Sequence, residues 1–146
     1  GSHRAAAAFC TRRSTLLAAS SCFVQCAAKD AVAVQATVAG LRALATPDDP
    51  DHSEQKAADY LQGLDRLQRG DAAGALPLLR AAHAAKGYEY DVYALALARA
   101  LAASGDVRAA RDAARTAGAR GAPADLRLEL ERSRGEATRL LRSLGG

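Results

Sequence analysis

Leu67-Gln68-Arg69-Gly70-Asp71-Ala72-Ala73-Gly74-Ala75 and Ala102-Ala103-Ser104-Gly105-Asp106-Val107-Arg108-Ala109-Ala110 place a Gly-Asp step at two points 35 residues apart. A helical apolar pattern runs into each step and another runs out of it. Tyr60, Leu64 and Leu67 share one face before Gly70, and Ala75, Leu76, Leu79 and Ala82 share one after Asp71. Leu97 and Leu101 mark the helix that ends at Gly105, and Ala110, Ala114 and Ala117 the one after Asp106. Two helices per period of this length predict an array of antiparallel helical hairpins.

The rest of the chain fits around that core. Asp51-His52-Ser53-Glu54 offers a capping box at the start of the first hairpin. Pro77 falls inside its second helix, where it removes one hydrogen bond and is expected to bend the axis. Beyond Pro123 a further helix runs through Leu126 and Leu130. Arg134-Gly135-Glu136 reads as a third, shortened turn with Ala137 to Leu144 after it; one long capping helix is the other reading. Upstream, Thr46-Pro47-Asp48-Asp49-Pro50-Asp51 breaks any helix. It divides an N-terminal segment, 1–45, from a repeat domain, 46–146. Within the former, Val34, Val38, Leu41 and Ala45 lie at helical spacing.

Composition points the same way. Alanine makes up about a quarter of the 146 residues, isoleucine and asparagine are absent, and aromatics are 4%. That favours the best intrinsic helix former and removes most strand and turn formers, so the fold is expected to be all-α. No apolar run approaches the roughly 18 residues that span a membrane, so no transmembrane segment is expected. The net charge is +4. Arg4, Arg12, Arg13 and Lys29, against Asp30, account for most of it, which leaves the repeat domain nearly balanced. Arg108, Arg111 and Arg115 share a face, but Asp106 and Asp112 sit among them. This reads as a solvated surface rather than a nucleic-acid stripe.

The sequence offers no catalytic constellation. His3, His52 and His83 have no partners that would make a triad, and no phosphate-binding glycine loop is present. Asp48, Asp49 and Asp51 lack the glycine and closing glutamate of a calcium loop. Cys10, Cys22 and Cys26 are confined to the N-terminal segment without downstream ligands, which fits small apolar residues better than a metal site. No cofactor and no metal are expected, and the chain reads as a non-enzyme.

Arg12-Arg13 ahead of Leu16-Leu17, a weakly apolar stretch to Ala28 and the small-x-small Ala31-Val32-Ala33 resemble a twin-arginine export signal. The form resembles signals that deliver proteins to the thylakoid lumen of a plastid. It implies a mature chain beginning near Val34, with the bacterial periplasm as the alternative destination. The competing reading keeps residues 14–28 as a first helix and leaves the cytoplasm open.

The two hairpins resemble the tetratricopeptide repeat. Leu97 and Ala98 fall on its paired Leu-Gly positions, Leu101 on the aromatic place after them, and Ala110 on the alanine of its second helix. Ala117 matches a small residue and Pro123 follows one residue late, whereas Ala114 stands where Phe or Tyr is usual. In the first unit Gly63, Ala75, Leu79 and Ala82 match, while Asp59, Gln62 and Arg66 depart from the usual apolar choices. The resemblance covers about 54–123. It implies a short right-handed superhelical array of two to three units, whose concave wall is lined by the first helix of each. Tyr60, Leu64 and Leu67, with Val92, Leu95 and Arg99, would then face a protein partner. Leu64, Leu67 and Leu95 fit a core equally well; Tyr60 and Arg99 are the types that anchor interfaces. Without asparagine, the carboxylate-clamping version of such grooves is disfavoured.

The functional expectation is a non-catalytic interaction module, an adaptor or assembly factor holding a polypeptide in its groove. The alternative is a structural accessory subunit of a large membrane complex, in which the alanine-rich faces are buried against partners.

Overall fold

The computed structural model describes residues 31–48, 53–86, 91–119 and 127–145. Six helices follow one another, with no strand among the described residues: α1 (Ala31–Leu44), α2 (Ser53–Gln68), α3 (Ala72–Ala84), α4 (Asp91–Ala103), α5 (Val107–Ala119) and α6 (Arg127–Ser143). The all-α expectation holds. None of these helices is long and apolar enough to cross a membrane.

The two Gly-Asp steps close in the same way. Gly70 and Gly105 turn left-handed, with φ of +82° and +89°. The Gly70 N–H donates to the Leu67 carbonyl at 3.1 Å and the Asp71 N–H to that of Arg66 at 2.9 Å; in the second corner Gly105 donates to Ala102 at 3.1 Å and Asp106 to Leu101 at 3.0 Å. This is the paired closure that ends a helix on a glycine, a residue with no Cβ to clash at positive φ. The aspartate then starts the next helix. Asp71 Oδ1 accepts from the Gly74 N–H at 2.8 Å, and Asp106 Oδ1 from the Ala109 N–H at 3.1 Å. Each carboxylate satisfies one of the donors a helix start leaves open.

Consecutive helices pack antiparallel. Lys56, early in α2, donates to the Ala85 carbonyl at the end of α3. Arg111, early in α5, donates to the Leu144 and Gly145 carbonyls at the end of α6. Small residues set the spacing, with Gly63 on α2 lying directly against Ala75 and Leu79 on α3. One apolar cluster joins Leu61 and Leu64, Ala75 and Leu79, and Leu97 and Leu101. A second holds Ala94, Leu95, Ala117 and Ala137 around α4, α5 and α6. Helix α4 lies in both, and eight of its thirteen residues are buried. That suits the central helix of a row.

Helix α1 shares the first cluster through Val34, Val38 and Leu41. It also explains the polar departures on α2. Arg42 donates to Asp59 at 3.0 Å and to Gln62 at 2.7 Å, and Gln35 donates to Asp65 at 3.2 Å. Asp59 and Gln62 are polar because polar groups of α1 lie over them. Arg66 reaches into the corner instead, to Asp71 at 3.2 Å.

Pro77 sits exposed within α3, and the helix continues through it. The shortened third turn at Gly135 is not formed, and α6 continues straight through it. A glycine inside a helix costs about 1 kcal/mol, whereas breaking α6 would sacrifice the continuous stripe that buries Ser133 and Ala137. Glu136 also lacks the short side chain that caps a helix, and it is held by Arg99 instead. The left-handed glycine of this end is Gly145, at φ +73°.

Candidate partner-binding wall

The row has an inner and an outer side. Helix α2 touches α4, and α4 touches α6; α1, α3 and α5 do not touch one another. The first helices of the hairpins therefore stand closer together and form a common wall. All six residues expected at a groove lie on α2 and α4.

Their environments differ. Tyr60 is 8% exposed and meets Tyr93 of α4 edge to face, with centroids 5.0 Å apart and planes at 71°. This is the favourable geometry for two aromatic quadrupoles. Leu64, at 7% exposure, belongs to the first cluster, and Leu95, at 4%, to the second. Leu67 and Val92 are half-buried against the first cluster. Arg99 is half-buried and ion-paired with Glu136 of α6. The structure thus unites Tyr60, Leu64, Leu67 and Val92 around one core and sets Leu95 and Arg99 on the α4–α6 side. Tyr60, expected at the interface, is buried in the core with Leu64, and Leu95 is buried in the second cluster, leaving Leu67, Val92 and Arg99 as the accessible members.

Lys56 and Tyr93, and Glu136 in a role other than the turn expected of it, also hold this region together. The Lys56 ammonium donates to the Ala85 carbonyl at 2.8 Å and stands 4.5 Å from the Tyr93 ring centroid. A cation over an aromatic face is attracted by its quadrupole. Tyr93 could have been suspected as one of four tyrosines in an aromatic-poor chain. Nothing local marks Glu136, which lies 37 residues from its partner.

Among the described residues no three His, Cys, Asp or Glu side chains converge as metal ligands. His83 lies in the last turn of α3. His3, His52, Asp49, Asp51 and the three cysteines lie outside the described residues, as do the twin arginine and the apolar stretch after it. No protein-family model, no curated protein and no solved structure matches the chain.

Proposed function

We propose that the chain is a tetratricopeptide-like, non-catalytic interaction module that holds a polypeptide partner along the wall of α2, α4 and α6. The observation that carries this reading is the repetition of one hydrogen-bonded corner at Gly70-Asp71 and Gly105-Asp106. A repeated hairpin with its first helices on one side generates an extended surface, which is how repeat arrays recognise other chains. Val92, Leu67 and Arg99 supply apolar contact and a planar cation on that surface.

Photo-cross-linking tests the reading. The full chain would carry a photoreactive residue in place of Val92 on the wall or of Arg108 on the outer side, and be irradiated in extract of its source. A discrete polypeptide adduct from position 92 and none from position 108 is expected. Equal adducts from both positions, or none from position 92, would overturn it.

A further inference from the structure

The two ends of the described row differ. Helix α6 exposes Arg132, Arg134, Arg139 and Arg142, the polar outer face that a terminal helix of an array needs. Helix α1, at the other end, touches only α2 among the described helices, and its outer face is not polar. Val34, Val38 and Leu41 pack into the first cluster. Its two exposed polar side chains, Gln35 and Arg42, are bonded to Asp65, Asp59 and Gln62 of α2. The flank opposite those contacts carries Val32, Ala36, Ala39 and Ala43, all exposed, with Gly40 and Leu44 beside them. Val32 is 81% exposed and Leu44 58%, the highest values of any large apolar side chain among the described residues. A Cβ on Gly40 would meet nothing within 4 Å, so no contact within the chain calls for a glycine that costs the helix about 1 kcal/mol.

We propose that this flank is a self-association surface, on which α1 of a second copy packs antiparallel about a twofold axis. Val32, Ala36, Ala39 and Ala43 follow one another at steps of four, three and four, the spacing of a coiled-coil seam. That spacing reads the same in both directions. An antiparallel copy therefore sets Val32 of one chain against Ala43 of the other, and Ala36 against Ala39. Small side chains in the middle let the two backbones approach closely, and Gly40 keeps the edge of the seam clear. Charge selects the occupant. The exposed faces of α3, α5 and α6 carry ionised groups, among them Arg80, Arg108 and Arg139, which would lose hydration against α1 and find no counter-charge there. The uncharged flank loses none against itself. A twofold contact also closes on itself, so it yields a dimer rather than a filament. This inference is independent of what binds the wall of α2, α4 and α6.

Sedimentation velocity of the full chain tests it. A single seam is a small interface, so a monomer–dimer equilibrium that shifts with concentration through the micromolar range is expected. Ala39→Glu places a carboxylate in the middle of the seam and should weaken the dimer at least about tenfold. Arg139→Glu on α6 should leave it unchanged. Val32→Glu should also weaken the dimer, without lowering the melting midpoint of the dilute monomer, because an acid in the first turn of a helix is favourable. A chain that stays monomeric at every concentration overturns the proposal, as does a dimer that tolerates either α1 change or is weakened by Arg139→Glu. Species larger than a dimer that grow with concentration would mean head-to-tail contact and overturn it equally.

Discussion

Gly63 and Leu79 meet across the first hairpin with no space between them: a Cβ on Gly63 would stand 2.6 Å from the Leu79 Cγ. Leu79 is itself fully buried and has nowhere to retreat. Gly63→Ala would gain about 1 kcal/mol of helix propensity, but the overlap should outweigh it, at a cost of roughly 1–3 kcal/mol. Urea denaturation is expected to show a lower midpoint with unchanged slope. In a Leu79→Ala background the same change should be far less harmful, since the obstructing branch is gone.

Glycines in this chain should respond with opposite signs. Gly70 and Gly105 have open space around a would-be Cβ but lie at positive φ, so Ala at either costs about 1–2 kcal/mol. Gly135 also faces open space, inside the regular helix α6, so Gly135→Ala should stabilise by about 0.5–1 kcal/mol. Thermal melts of the three variants check this; a stabilising Gly105→Ala would contradict the corner.

Docking of α1 rests on apolar contact more than on charge. Leu41 is 3% exposed, and Leu41→Ala is expected to cost about 2–5 kcal/mol. Arg42 is over a third exposed in its pair with Asp59, and such pairs contribute about 0–1 kcal/mol. Arg42→Ala should therefore lower stability only slightly, by an amount that shrinks in high salt.

The Tyr60–Tyr93 contact joins the two hairpins and can be isolated energetically. A double-mutant cycle with Tyr60→Leu and Tyr93→Leu should return a coupling of about 0.5–1.5 kcal/mol. Zero coupling by chemical denaturation would separate the rings in solution.

The corners and the second helices were legible because their determinants are local. A glycine, an aspartate and the spacing of Ala75, Leu79 and Ala82 lie within a dozen residues of one another. The first helices were harder to read, since α2 owes Asp59 and Gln62 to Arg42, seventeen and twenty residues upstream. Gly135 misled for the opposite reason. Its neighbours mimic a corner, while the burial of Ala137 that keeps α6 continuous is set by Ala94 and Leu95 of α4 and Ala117 of α5. At the wall, the split between Leu64 and Leu95 in the core and Val92 and Arg99 at the surface depends on how α2, α4 and α6 stand together. No window of sequence contains that.

Every helix in the row touches only those one or two places away, and the ion pair between Arg99 and Glu136 spans just 37 residues of chain. Little loop entropy must be surrendered before a contact rewards it. Refolding should accordingly be rapid, in the microsecond-to-millisecond range of local topologies. Either hairpin can serve as the starting nucleus, so damage to one corner should slow refolding without preventing the other from forming first.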